Sequence, residues 1–237
     1  MGSVSFPRIC VSILAKSNQE ALNKMNQGIG ADHILELRID GIRRVNVKRL
    51  LAHKKGEILI TNRSREEGGF FTGGETERVA LLMEAAALGA DYVDLEMRTG
   101  APLIAELKEK IKTLQTDTRL ILSYHNHEKT PGLRDLKKKL EEGKQAGADI
   151  VKIVPYAREV ADNLRVLGLI PYARKKGLKV IAFCMGEKGR LSRIMAPGLG
   201  SCLTYASWTK GMESASGQMT VKELKQVFRL LDLNPEV

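Results

Sequence analysis

The chain has 237 residues, 43% of them hydrophobic, 28% charged and 5% aromatic, with a formal net charge of +10. That balance belongs to an ordinary soluble globular protein and excludes an intrinsically disordered one. No apolar run is long enough to cross a bilayer, and the first residues lack the basic-then-apolar order of a secretory leader, so a cytoplasmic protein is expected, with no membrane partner. The basic residues are spread along the chain. Clusters such as Lys137-Lys138-Lys139 and Arg174-Lys175-Lys176 read as solvated helix faces, and the scarcity of aromatics leaves little for stacking on nucleic-acid bases. A positive field would also attract a small anionic substrate.

In chain order, one unit recurs: an apolar, β-branched run, a loop, then a helical pattern. Strands are predicted at 8–14, 33–39, 57–62, 91–97, 119–124, 149–154, 179–185 and 201–206. Between them, 75–88 is a helix with Val79, Leu82, Met83 and Ala86 on one face. A second helix runs over 102–114, with proline at its permitted first turn. Gly89, Gly147 and Gly177 stand where left-handed helix caps are expected. The gap 187–200 is short for a full helix. Strands alternating with helices in this way fit a (β/α)₈ TIM barrel, an α/β fold, as a single domain over 1–237. A doubly wound open sheet is the alternative, weakened by the absence of Gly-x-Gly-x-x-Gly after the first strand. Cys10, Cys184 and Cys202 are odd in number, contain no Cys-x-x-Cys, and read as small buried residues.

In a barrel the chemistry gathers at the C-terminal ends of the strands. The first strand carries Ser12, more often a filler than a ligand. The second ends Leu35-Glu36-Leu37-Arg38-Ile39-Asp40, whose alternation puts three charges on one face and three apolar residues on the other, so the charges point inward. Asp94 and Glu96 repeat that pattern. The third strand ends at Arg63 and opens a loop over 64–74, whose glycines, with Phe70 and Phe71, predict a mobile lid closing on a ligand. His125 ends the fifth strand and is a candidate general acid/base, although such a histidine can equally be structural. Arg190 and Arg193, with the turn at 214–218, would suit an oxyanion.

The sixth strand carries Lys152 in the middle of Asp149-Ile150-Val151-Lys152-Ile153-Val154. Burial of an ammonium favours the free amine, which imine chemistry with a ketone or aldehyde needs. A lysine paired with a carboxylate, or one with its head in water, is the other reading. Taken together, an inward lysine, a histidine on the preceding strand, arginines and inward carboxylates point to imine chemistry on a small anionic oxo compound. An imine-forming aldolase acting on a sugar phosphate and a basic nucleic-acid-binding protein are the alternatives.

These stretches resemble the type I 3-dehydroquinate dehydratases, (β/α)₈ enzymes of the shikimate pathway. The resemblance rests on Glu-Leu-Arg-Ile-Asp at 36–40, Arg63-Ser-x-x-Glu67-Gly68-Gly69, Asp94-Leu-Glu96 and Ser123-Tyr-His125-Asn-x-x-Lys129-Thr130-Pro131. It continues through the lysine strand, Met185-Gly186, Ser192-Arg193 and Ser214-Ala-x-Gly217-Gln218, in the family's order. It implies that Lys152 forms the imine with the C3 ketone of 3-dehydroquinate, that His125 removes a C2 proton, and that Glu67 orients His125. It further implies that Glu36, Arg38 and Arg63 surround the substrate hydroxyls, that Arg193 clamps the carboxylate, and that Ser214 and Gln218 lie in the closing loop; Ser12 is similar to a binding serine. No metal or organic cofactor is expected, the only expected ligand is the small-molecule substrate, and family members are often homodimers. Asn126 and Glu128 depart from the family's usual residues, and His127 falls at a position the family does not use.

Overall fold

The computed structural model describes residues 7–27 and 33–233; most of the N-terminal stretch read for a leader lies outside them. Nine strands occur among the described residues: β1 (Ile9–Leu14), β2 (Ile34–Arg38), β3 (Ile58–Thr61), β4 (Tyr92–Glu96), β5 (Arg119–Asn126), β6 (Ile150–Pro155), β7 (Val180–Ala182), β8 (Thr204–Ser207) and β9 (Met219–Thr220). They form one parallel sheet in the order β7-β6-β5-β4-β3-β2-β1-β8-β9. The sheet curls until its seventh and eighth strands meet, where Cys202 N donates to Val180 O at 2.8 Å. This is the predicted barrel, with a two-residue ninth strand added after the loop at 211–218.

Period-2 alternation sorts the side chains. Val11, Ile13, Leu35, Leu37, Ile60, Val93 and Leu122 point outward and pack under the helices. Cys10, Ile34, Leu59, Tyr92, Ile121, Ile150 and Ile181 point inward and fill the bottom of the barrel. One step up each strand, the inward positions become Ser12, Glu36, Thr61, Asp94, Ser123 and Lys152, and the register aligns Ser12 with Glu36 and Ser123 with Lys152. A dry apolar floor thus lies beneath a buried polar layer.

The helices follow local rules. Glu75–Ala87 begins with acidic residues in its first turn, complementing the helix dipole, and Val221–Leu230 opens with a Thr220/Glu223 capping box. The segment expected to be short for a helix holds a 3₁₀ turn, Glu187–Gly189, and then a nine-residue helix, Arg190–Gly198. Its shortness hid it: Ser192, Arg193 and Ala196 make its buried face, and a polar inward residue breaks the apolar pattern. The predicted strand 179–185 pairs only through Val180–Ala182 and continues as an isolated bridge between Tyr156 and Met185. Cys10 and Cys184 are buried, but Cys202 precedes β8 and is half-buried rather than in a strand. No helix among the described residues is long and apolar enough to cross a membrane.

Candidate active site

Ten of the residues singled out from the sequence line one cavity at the C-terminal mouth of the barrel: Ser12, Glu36, Arg38, Arg63, Glu67, His125, Lys152, Arg193, Ser214 and Gln218. A roomier groove lies beside it, lined by Lys16, Arg43 and Phe70 among others. Of the buried charges expected to point inward, only Asp40 borders that groove, and it lies there rather than in the cavity because the chain leaves the strand after Arg38 and turns through a 3₁₀ turn over 39–41; Asp40 is already paired with Arg38, so chemistry rather than size decides between the two.

Lys152 meets both of its sequence readings. It is buried, at 4% exposure, and it is also paired, with Nζ donating to Asp94 Oδ2 at 2.9 Å and lying 4.5 Å from the centre of the Tyr205 ring. Burial and pairing with a carboxylate therefore coexist at this lysine. Asp94 also accepts from Arg63 Nη2 at 2.9 Å and from the Ser123 hydroxyl at 2.6 Å. Burial pushes the Asp94 carboxyl up, but Arg63 and Lys152 outweigh it and hold it ionised, well below the usual carboxylate range. The second nitrogen of Arg63 donates to Glu96 at 3.0 Å and to Ser123 at 2.7 Å.

His125 stands one layer above Ser123 on β5. Its Nδ1 is 2.8 Å from Glu67 Oε2, and its backbone N–H donates to the same oxygen at 3.1 Å. Burial, reinforced by the Arg63 and Lys152 charges, pushes the imidazole well below its ordinary value, so the ring is neutral. Burial raises Glu67 to about 8, with Arg63 opposing and Glu96 adding to the rise. When Glu67 is ionised, Nδ1–H donates to it and Nε2 is left as the acceptor, the tautomer a general base requires.

Arg193 is 1% exposed, and its Nε and Nη1 find no acceptor among the described residues. Among the described residues its guanidinium makes one polar contact, a 3.5 Å bond from Nη2 to Ser216 O, and its guanidinium carbon lies 4.6 Å from the centre of the Phe183 ring. Burial lowers it to about 10, which leaves it a cation at neutral pH. A desolvated cation with unused donors in a cavity wall is built to receive an oxyanion. Arg190, the other arginine read as suiting an oxyanion, does not line this cavity: it is half-exposed and pairs with Glu187 at 2.6 Å.

Glu36 receives the hydroxyls of Ser12 and, at 2.8 Å, Thr61. Arg38 grips Asp40 with two bonds of 2.8 Å. Asp40 Oδ2 in turn receives the Phe70 N–H at 3.0 Å, which pins the loop at 64–74. Gly68 adopts φ +78° there, and a β-carbon on it would come within 2.7 Å of the His127 ring. This turn sends Glu67 into the cavity and the phenylalanines away from it. Phe70 is 57% exposed, and without a ligand both rings border the neighbouring groove rather than the cavity. On the opposite wall, Ser214 and Gln218 bind each other, Ser214 N and Oγ each 2.9 Å from the Gln218 amide.

The structure adds residues to the cavity wall. His127 stands at its rim with its ring centre 6.4 Å from that of His125. Two-residue spacing on one strand face was the available signal for it. Tyr205 floors Lys152, and the alternation of β8 would have placed it inward.

The family model for type I 3-dehydroquinase matches residues 9–235. The chain belongs to the type I 3-dehydroquinase family. A 3-dehydroquinate dehydratase from Desulfotalea psychrophila is 38% identical over 221 residues, 93% of this chain and 96% of that protein. Among solved structures, the type I 3-dehydroquinate dehydratase of Clostridium difficile, crystallised with covalently modified comenic acid, superposes with a TM-score of 0.85 at 27% identity, over 96% of this chain and 92% of that one. The 3-dehydroquinate dehydratase of Geobacillus kaustophilus gives 0.86 at 25% identity, over 98% and 93%. In this type I family member, then, the buried polar layer of the barrel walls the candidate cavity.

Proposed function

We propose that this member of the type I family dehydrates 3-dehydroquinate through an imine on Lys152, with His125 as proton carrier, Glu67 as its orienting partner and Arg193 as the carboxylate clamp. The activity is the family's: a hydro-lyase step of the shikimate pathway, giving 3-dehydroshikimate for aromatic amino-acid synthesis. The observation that carries the residue roles is the cavity itself, in which a buried lysine, a neutral histidine and a donor-rich unpartnered arginine converge.

The chemistry follows from those groups. The Lys152 amine adds to the C3 ketone and water leaves, giving an iminium, a far better electron sink than the ketone. Neutral His125 takes a C2 proton, and the electron pair passes into the iminium as an enamine. Collapse of the enamine expels the C1 hydroxyl, which leaves as water with the proton that His125 returns. Hydrolysis of the product imine restores Lys152. Glu36, Arg38 and Arg63, with Ser12 beside Glu36, supply donors and acceptors for the substrate hydroxyls, while Ser214 and Gln218 form the wall next to Arg193.

The test is borohydride trapping. After incubation with 3-dehydroquinate and reduction, peptide mapping should find the added mass on Lys152, with 3-dehydroshikimate absorbance growing in the unreduced sample. Product without any label on Lys152 would refute the imine route.

A pH dependence follows from Glu67. Below about pH 8 Glu67 holds a proton and donates it to Nδ1, which puts the ring hydrogen on Nε2 and disables the base. The expected kcat/KM therefore rises with pH and levels off above about 8, and in Glu67→Gln, which cannot ionise, this limb disappears. A pH–rate profile with the same limb in both enzymes would remove Glu67 from the role.

The same reading places the protein in the cytoplasm, as one domain that pairs with a second copy of itself. Val160 and Leu164 are 57% and 67% exposed on the segment between β6 and β7, and Leu191 is 40% exposed on the helix Arg190–Gly198, which packs against it. Large exposed apolar side chains of this kind suit the centre of an interface.

A further inference from the structure

We infer that Arg78 is a positioning residue for this reaction, holding Arg63 in register by clamping Glu96 and both stems of the loop at 64–74. The inference rests on the reading of Arg63 as a substrate-contacting group. Arg78 lies on the helix Glu75–Ala87, outside the cavity, and is 1% exposed. Its guanidinium uses every donor it has. Nε and Nη2 donate to the two oxygens of Glu75 at 2.9 and 2.8 Å. Nη2 also reaches the Thr99 hydroxyl at 2.7 Å, while Nη1 donates to Asn62 O at 2.8 Å and to Glu96 Oε2. The Asn62 amide returns a bond to the Arg78 carbonyl at 3.1 Å.

Two consequences follow. Asn62 is the last residue before Arg63, and Glu75 is the first after the loop, so one planar fork ties both stems together. Glu96 is held on its other side: Oε1 accepts from Arg63 Nη1 and from Ser64 N, each at 3.0 Å. Arg63 then reaches Asp94, and Asp94 reaches Lys152, at 2.9 Å each. Without Arg78, Glu96 would keep a bare buried oxygen and compete with Asp94 for Arg63, pulling it from the position it now divides between the two carboxylates. A small displacement of a substrate-binding group is enough to lower the rate.

Lysine restores the charge but offers its donors from one point, so it cannot span Asn62, Glu75, Thr99 and Glu96 together. Arg78→Lys should lower kcat/KM about tenfold, mostly through KM, with a native circular-dichroism spectrum. In an Arg63→Lys background the same change should cost less than about twofold, because its route is already cut. Wild-type kcat/KM with only a lowered melting temperature would make Arg78 purely structural and overturn the inference. So would a full tenfold loss repeated on top of Arg63→Lys. Should Arg78→Lys fail to fold, Glu75→Gln decides: Glu75 is half-exposed, its loss loosens the outer side of the fork, and KM should rise about two- to threefold. An unchanged KM there would overturn the inference. Arg63→Lys acting like wild type would remove the Arg63 reading and this inference with it, whereas an impaired Arg63→Lys beside a wild-type-like Arg78→Lys would remove this inference alone.

Discussion

Lys152→Ala is expected to abolish turnover of 3-dehydroquinate while the chain still folds. No other described residue offers a buried primary amine in the cavity, so the variant has no means of converting the C3 ketone into an iminium. His125 would still be present, but removing a C2 proton next to an unactivated ketone is far harder. Folding should survive because Asp94 keeps two of its partners, Arg63 and Ser123. The loss should therefore fall below the roughly 3–5 kcal/mol typical of a buried charge left alone. Lys152→Met keeps the apolar stem over Tyr205 and should be equally inactive but more stable. The checks are steady-state product formation and a thermal melt, and an active Lys152→Ala enzyme would end the imine proposal.

Much of this site could be read from the chain because barrel chemistry is written in strand alternation. In Glu36-Leu37-Arg38, period 2 alone separates inward charge from outward packing, and the structure puts Glu36 and Arg38 in the cavity and Leu37 in the core. Lys152 needed only its place in an apolar run, since burial on both faces of the strand follows from the neighbours. The residues that escaped are those whose role depends on contacts across elements. Arg78 sits on an amphipathic helix whose other charges are solvated, and its burial is explained by acceptors on other elements, Glu96, Asn62 O and Thr99. Phe70 and Phe71 carried a lid reading on composition, but the left-handed turn at Gly68 and the bond from Phe70 N to Asp40 turned them toward the neighbouring groove. A carboxylate partner for Lys152 was one reading of the sequence, but its identity as Asp94 was not legible, since the pair joins strands β4 and β6 across the intervening β5.

His125→Ala should slow turnover by roughly 10²–10⁴-fold, the usual worth of a positioned acid/base. In the proposed sequence His125 takes the C2 proton and returns it to the departing C1 hydroxyl, and from its place beside the lysine it would also assist formation and hydrolysis of the imine. Loss of the ring slows these steps and leaves the electron sink intact. The distinguishing readout is therefore covalent: borohydride should still label Lys152 in His125→Ala, although product forms slowly, whereas Lys152→Ala shows neither label nor product. The substitution should leave a folded protein below about pH 8, because Glu67 keeps its proton there and no buried charge is orphaned when its imidazole partner goes. Above that pH Glu67 would ionise without the Nδ1 donor, and the variant should lose stability relative to the parent. A His125→Ala enzyme turning over at the parent's rate would assign the base elsewhere, with His127 at the cavity rim the first residue to test.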